Sequence, residues 1–500
     1  MARAGRRAAG RREVAGGSNA ERPLNHPRTR TRPDLNDTHD APAPAPDRLP
    51  RVLGGREAIT LVVGSIVGSG IFLVPRTVAQ EAGTSGLALL VWVVVGVLAL
   101  LSALSYAEVA AMMPRAGGMY VYLSEAYGRT WGFLRGWTEL VLLRTGSAAI
   151  LSVAFTMSLN QIVRLPEWAQ RLVPLAVIGL LATVNVLGAR PGGQVQNWTT
   201  YVRVAALAAM AVLPFAAGKT SAANWAPLLP AELSPSLIPA FGAAMLACMW
   251  AYTGWVHIGP MAEELKDAQR TVPMGLIAGV LIVIALFLSV NVAMLSALPA
   301  AELARSEHPA AALMQASVGD WGRKAISALV MCSTFGGVNA GLLTAPRTYF
   351  AMARDGVLFA PLARVHPVHK TPANAIRLHA AWSIVLVVGC SAIQEVFMRG
   401  TDLPALFSTL VSVVVFGASI FEMTAIAAVF VLRRKQPDRP RPYRVPGYPW
   451  VPGVAIAAYV ALLASTLVQK PVHSTLGLLL IAAGLPVLAL MRRSRTTGSS

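Results

Sequence analysis

Five hundred residues, 55% of them hydrophobic and only 13% charged, exclude a soluble enzyme of ordinary composition. A formal net charge of +19 suits a nucleic-acid binder only if the basic residues share a face, and here they crowd into short connections between apolar runs. About twelve runs of roughly 20 residues lie near 57–80, 86–112, 132–160, 172–188, 196–217, 237–262, 272–297, 325–354, 374–395, 403–432, 450–468 and 474–491. They predict an all-α polytopic membrane protein with about twelve transmembrane helices.

Residues 1–50 differ in kind. Arg, Ala, Gly and Pro dominate, as in Ala41-Pro42-Ala43-Pro44-Ala45-Pro46, which predicts a disordered basic tail. No apolar core precedes a small-residue cleavage site, so no cleavable signal is expected, and six acidic residues argue against an organelle presequence. Further along, Arg and Lys gather in Arg115–Arg135, Arg347–Arg377, the run from Arg433-Arg434-Lys435 to Arg444, and Arg492-Arg493-Ser494-Arg495. With the tail, these are alternate connections, whereas Glu81–Gly86 and Thr220–Pro235 carry few. The positive-inside asymmetry places both termini in the cytoplasm, and anionic lipid would reinforce it.

Two of the runs are interrupted in corresponding places. The first reads Gly64-Ser65-Ile66-Val67-Gly68-Ser69-Gly70-Ile71-Phe72, and the sixth reads Trp250-Ala251-Tyr252-Thr253-Gly254-Trp255. A helix broken at membrane depth leaves peptide groups without partners, at a cost of roughly several kcal/mol each, so it persists only where it lines a cavity or binds something. Two matching breaks point to the substrate site of a small-molecule carrier. A zwitterion would meet free N–H groups and the positive end of a helix dipole at Gly68-Ser69-Gly70-Ile71, where Ser69 adds a hydroxyl. Its ammonium would meet carbonyls of Ser65 and Ile66 and of Trp250, Ala251 and Thr253. Small residues of this kind also serve as helix-packing notches.

Ionisable groups near the spans are few. Glu108, Glu263 and Glu264 sit at span ends, as gate partners of Arg115 or Arg354 or as ordinary interface residues. Glu139 and Arg144 can neutralise neighbouring helices, and Glu422 and His257 are candidates for proton handling, His257 equally a structural histidine. Cys248, Cys332 and Cys390 all fall inside apolar runs and read as small buried hydrophobes. They have no metal-ligand spacing, so no metal, cofactor or structural disulfide is expected. The sequence holds no His-Glu-x-x-His, Cys-x-x-Cys or phosphate loop, so no enzymatic activity is expected.

The chain from Gly54 to about residue 490 resembles the amino acid–polyamine–organocation superfamily, and within it the L-type amino acid transporter branch. Gly68-Ser69-Gly70-Ile71-Phe72 is similar to the first-helix signature. Ser105-Tyr106-Ala107-Glu108 with Pro114-Arg115-Ala116-Gly117-Gly118 resembles the second helix and its re-entrant loop. Ala251-Tyr252-Thr253-Gly254-Trp255, Glu263-Glu264-Leu265-Lys266 and Arg270-Thr271-Val272-Pro273 resemble the sixth helix and its exit. Phe335-Gly336-Gly337-Val338-Asn339 with Met352-Ala353-Arg354-Asp355-Gly356 is similar to the eighth, and Pro440-Arg441-Pro442-Tyr443-Arg444-Val445-Pro446 to the loop after the tenth.

That resemblance implies a five-plus-five inverted repeat (LeuT-like) with broken helices 1 and 6. The repeats would span 51–218 and 237–432, followed by two further helices over 450–491 and a cytoplasmic tail over 492–500. It implies a multi-pass secondary transporter of the cell (plasma or inner) membrane, working by alternating access. The substrate carboxylate would be held at Ser69 and Gly70 and its amino group at Ser65, Ile66, Trp250 and Thr253, with Trp250 as a thin gate.

Three departures refine this expectation. Arg203 aligns with a fifth-helix lysine of many members; an arginine keeps its proton, so it reads as a fixed cationic brace at a cation site, or as a residue snorkelling to the interface. A brace favours exchange or facilitated diffusion over a proton-coupled amino acid symporter, and a fixed cation also disfavours sodium. Thr253 and Val256 stand where large-substrate members often carry glycine and asparagine, which predicts small or medium neutral amino acids. A cationic amino acid or polyamine permease would need a carboxylate in the pocket, and none lies beside either break. The loop Val163-Arg164-Leu165-Pro166-Glu167-Trp168 has no cysteine, so no covalent heavy-chain subunit is expected.

Overall fold

Backbone that lies in hydrocarbon must close its hydrogen bonds within its own segment, and the apolar runs do so as helices. The computed structural model describes residues 48–68, 70–232, 234–235, 237–397 and 403–496, with side chains for these except 390–412 and 492–496. In chain order the helices are α1 (Gly55–Ile66), α2 (Gly70–Ala82), α3 (Ser85–Met112), α4 (Met119–Tyr127), α5 (Arg129–Thr138), α6 (Arg144–Ile162), α7 (Glu167–Leu187), α8 (Ala189–Ala216) and α9 (Leu237–Tyr252). They continue with α10 (Ala268–Ala297), α11 (Ala300–Arg305), α12 (Pro309–Val318), α13 (Asp320–Arg354), α14 (Ala373–Phe397), α15 (Leu403–Lys435), α16 (Trp450–Gln469), α17 (Pro471–Ala482) and α18 (Gly484–Thr496). Among the described residues no strand forms beyond one parallel bridge, Leu53 to Leu265.

Among the described residues ten helical stretches are long and apolar enough to cross a membrane, and the bent pair α1 and α2 makes eleven. The remaining expected span, near 374–395, is α14, whose apolar part among the described residues is the shorter Ala373–Gly389. The third span is α5 and α6 joined by a π-helical turn over Glu139–Leu143. The expected re-entrant connection after α3 contains the short helix α4, and α11 and α12 fold between α10 and α13 without an expectation from sequence. The basic tail over 1–47, Ser69 and the side chain of Cys390 lie outside the described residues. Residues 48–50, assigned to the tail from composition, belong to the folded part. Leu49 is buried, and its N–H donates to Glu263 Oε1 at 2.9 Å.

Both expected breaks are present. α1 stops at Ile66 and α2 starts at Gly70, bent by 44° from it. α9 stops at Tyr252, and after Thr253 and Gly254 the chain continues as a 3₁₀ helix over Trp255–Glu264. Gly254 has φ of 121°, a conformation that suits glycine, and a Cβ there would run into the Ser65 carbonyl. The two breaks therefore lie against each other.

In a bilayer, close helix contact comes from small residues. α10 offers Gly275 and Gly279 one turn apart, and a Cβ at either would press on α1, at 2.9 Å from Ala58 Cβ and 2.6 Å from Val62 Cγ1. α1 is thus seated in a notch of α10 while its far end is unwound.

That unwound end needs donors, because the last carbonyls of a helix lack intrahelical partners. Arg203 of α8, fully buried, supplies them: Nη1 donates to Gly64 O at 2.5 Å and to Val67 O at 2.8 Å. A cation also suits the negative end of a helix dipole, worth roughly 0.3–2 kcal/mol. Room for the guanidinium comes from Gly336 of α13, where a Cβ would collide with Nη2. Ser333, one turn earlier, donates more weakly to Val67 O at 3.4 Å.

Removing this donor strands the Gly64 carbonyl, at about 1–3 kcal/mol, and leaves Val67 O only its weak bond from Ser333. Arg203→Met is expected to lower the thermal midpoint of the detergent-solubilised protein well below that of Gly453→Ala, a change on α16 where a Cβ meets nothing within 4 Å. Equal midpoints for the two variants would contradict the bracing role.

Candidate functional site

A cavity of about 190 Å³ lies where the breaks meet. Ser65, Ile66, Gly68 and Gly70 line it from the first break, and Trp250, Ala251, Thr253, Gly254 and Val256 from the second. The approach is backbone to backbone: a Cβ on Gly70 would sit 2.8 Å from Ala251 Cα. Neither Ile71, expected beside the free N–H groups of the first break, nor Arg203, expected as a brace, puts its side chain on this wall. Ile71 is fully buried in the core and does not line the cavity, since one step along α2 turns its side chain away from the face of Gly70. Arg203 lies behind α1 and does not line it either.

α2 begins at Gly70, so its first N–H groups have no intrahelical acceptors and the positive end of its dipole faces the break. The carbonyls are less open than the sequence suggests. Gly68 N donates to Ile66 O at 2.7 Å. Trp250 O accepts from Thr253 N at 3.3 Å and from Thr253 Oγ1 at 2.7 Å, so this hydroxyl caps its own helix end instead of facing outward. Ile66 O retains a second lone pair, whereas both lone pairs of Trp250 O are engaged.

The rest of the wall comes from helices the sequence did not nominate as binding elements. The third span supplies Arg135, Leu143, Arg144, Ser147 and Leu151, and α15 supplies Val414, Val415, Ala418 and Glu422; His257 comes from the 3₁₀ segment. Arg144 and Glu422 carried a signal, as charged residues inside apolar runs. The π-helical turn before Arg144, which re-aims the face that follows, left none. The expectation that no carboxylate reaches the pocket is corrected here: Glu422, distant in sequence from both breaks, is on its wall.

The charges are partly matched. Arg135 pairs with Glu139 at 3.1 Å and stacks over Phe421. Arg144 Nη2 donates to Thr344 Oγ1 of α13 at 2.9 Å, and Glu422 Oε2 accepts from Tyr459 Oη of α16 at 2.7 Å. No cluster of three or more His, Cys, Asp or Glu suited to a metal ion occurs among the described residues.

At the end of the bundle that carries the basic loops, acids and arginines knot several elements together. Glu263 pairs with Arg354 at 3.0 Å and also accepts from Leu49 N at 2.9 Å and from Ala116 N at 3.0 Å, joining the lead-in to α1, the loop after α3 and α13. Glu264 pairs with the buried Arg347 at 2.7 Å. Val52 N and Leu53 N donate to Glu264 O, and Lys266 N returns a bond to Leu53 O at 2.8 Å. Glu108 pairs with Arg433 at 2.7 Å and lies 3.6 Å from Arg441, and Val445 N donates to it at 2.7 Å. Burial holds the neighbouring Tyr443 phenol up at about 12, with Glu108 adding to the shift. Of the expected partners Arg354 takes part, whereas Arg115 is exposed.

The amino acid permease family model matches residues 53–490. The chain is 31% identical over 452 residues to the serine/threonine exchanger SteT of Bacillus subtilis (strain 168), covering 90% of this chain and 98% of that protein. It is 28% identical over 436 residues to the cystine/glutamate transporter of Homo sapiens, 86% of this chain and 82% of that one. It is 30% identical over 449 residues to large neutral amino acids transporter small subunit 2 of Homo sapiens, 88% and 80% respectively. With a match across nearly the whole folded part and two interrupted helices facing one cavity, the chain belongs to the amino acid permease family, a multi-pass membrane protein of the L-type-like branch of the amino acid–polyamine–organocation superfamily.

Proposed function

We propose that this protein is a secondary transporter that exchanges small or medium neutral L-amino acids across the plasma membrane by alternating access, with repeats over 51–218 and 237–432. The observation that carries this reading is the single cavity into which both interrupted helices open. The N-terminal end of α2 takes the substrate carboxylate at the Gly70 backbone, and Ser69, expected to share that role, lies outside the described residues. The free lone pairs of the Ser65, Ile66 and Thr253 carbonyls take its ammonium, while the Trp250 carbonyl stays with Thr253 and the Trp250 side chain closes over the substrate.

Neutrality follows from the wall. Glu139 answers Arg135, which leaves Arg144 and Glu422 with opposite signs, so a zwitterion with an uncharged side chain adds no net charge to the site. Thr253 and Val256 take up space beside the second break and limit the side chain. Arg203 occupies the ends of two carbonyls with a permanent charge, which leaves no role there for sodium or a transferable proton.

The knot around Glu263 and Glu264 is read as a cytoplasmic gate, and both termini as cytoplasmic. The loops expected on one side by their positive charge are the ones that meet there. The connection between α6 and α7 holds no cysteine, so the transporter acts without a disulfide-linked heavy chain.

The test is uptake of a panel of radiolabelled amino acids into proteoliposomes that are empty, preloaded, or under an inward proton or sodium gradient. Uptake is expected only with preloading, and gradient-driven uptake into empty vesicles would replace exchange with symport. Thr253→Gly is expected to admit larger neutral amino acids; an unchanged substrate range would remove Thr253 from the side-chain pocket. Glu263→Ala frees the lead-in from its anchor and is expected to speed tryptic cleavage after Arg51, read by mass spectrometry, whereas an unchanged rate would deny the knot its role in closing that end.

A further inference from the structure

Glu422 has no counter-ion among the described residues, although it stands inside the bundle and is 5% exposed. An ionisable group at membrane depth is expensive to keep, so its surroundings are informative. It projects from α15 one turn beyond Ala418 and lines two spaces at once: the substrate cavity, and an adjoining cavity of about 20 Å³. Thr253 and Val415 are the other residues shared by both walls. Tyr459 fixes the carboxyl from α16 through Oε2, and Oε1 has no protein partner among the described residues.

The wall of the smaller cavity combines apolar groups, among them Val95, Leu98 and Met249, with the hydroxyl residues Ser102, Ser419 and Tyr459 beside Glu422. Its volume, on this measure, holds about one water-sized group. A substrate anchored by its carboxylate and ammonium at the breaks, and turned towards Thr253, ends a short side chain in this compartment, where the Glu422 carboxyl is the strongest acceptor on the wall. The donor it offers should be uncharged, because Arg144 lines the same cavity and already balances the charge of Glu422, Arg135 being answered by Glu139. A carboxylate side chain would meet Glu422 itself.

We propose that Glu422 is a specificity-determining residue that accepts a hydrogen bond from a side-chain hydroxyl of the substrate, so that the site prefers small hydroxyl amino acids to their apolar isosteres. This rests on the cavity being the amino acid site. The full-length protein in preloaded proteoliposomes tests it, by competition among threonine, valine, serine, alanine and diaminopropionate. Threonine and valine differ only by hydroxyl against methyl, and a hydrogen bond to a charged group corresponds to a preference for threonine of about tenfold or more.

Glu422→Leu is expected to bring the ratio of threonine to valine competition constants to about one, whatever the absolute rate of exchange. Where Glu422→Leu does not fold, Glu422→Gln carries the test: losing the charge-assisted part of the bond should cut the preference by about three- to tenfold. The wild type failing to separate threonine from valine overturns the proposal. So does a preference that survives intact in either folded variant, or a tighter hold on diaminopropionate than on threonine. Folded wild-type protein that exchanges none of the panel instead removes the reading of the cavity as an amino acid site, a result distinct from equal exchange of threonine and valine.

Discussion

The whole arrangement depends on satisfying peptide groups at a break inside the bilayer. α1 cannot end at Ile66 in hydrocarbon unless something bonds its terminal carbonyls, and Arg203 does so for Gly64 and Val67. Neighbouring helices are shaped around this contact. α8 carries the arginine at a fully buried position, α13 leaves space for it at Gly336, and α10 grips the regular part of α1 at Gly275 and Gly279. A bound ion could answer the same carbonyls, but only while it is bound. A guanidinium cannot leave or lose its proton, so the break is permanently supported.

Charge elsewhere follows a different rule. Buried ion pairs contribute little net stability, since their attraction mainly offsets desolvation, yet breaking one is costly. They therefore discriminate between arrangements more than they strengthen any one. Glu263 illustrates this, because one carboxylate is answered by Arg354 and by two backbone N–H groups from separate segments. A small displacement of any of these elements leaves a charge short of partners. Such a contact has two discrete states, engaged or hydrated, which is the property a gate requires.

The sequence made the fold legible because its strongest signals are local. Apolar run length gave the spans, and the breaks at Gly68-Ser69-Gly70 and Thr253-Gly254 were visible as small, flexible residues where a helix should continue. Arg203 came from the resemblance to a family with a fifth-helix lysine, and its guanidinium donates to Gly64 O and Val67 O at the first break. What escaped depends on how distant helices rotate against one another. No run of letters tells that Glu422 faces the cavity while the acid Glu139, also deep in a span, turns to Arg135, because that is decided by packing angles. That the Ile71 side chain joins the core and not the cavity was hidden for a related reason: one residue along a helix moves a side chain about 100° round its axis. The engagement of Trp250 O by Thr253 was hidden too, since a threonine hydroxyl chooses between its own helix and a ligand by rotamer.

On the proposed mechanism these features bear on why transport would take the form of exchange. The carbonyl end of the first break is satisfied at all times by Arg203, but the N–H end, at the start of α2, is not, and neither is the second lone pair of the carbonyls facing the cavity. While the cavity is open to water those groups are hydrated. Closing both sides without a substrate would strip that water and return nothing, whereas a bound zwitterion answers both ends together. The occluded state is then far better populated with substrate than without, and a carrier can only reorient at the rate at which that state is reached. A coupled ion could lower the barrier for the empty form by neutralising one end alone. With that position held by an arginine that turns over with neither substrate nor proton, the return journey is left to the next amino acid.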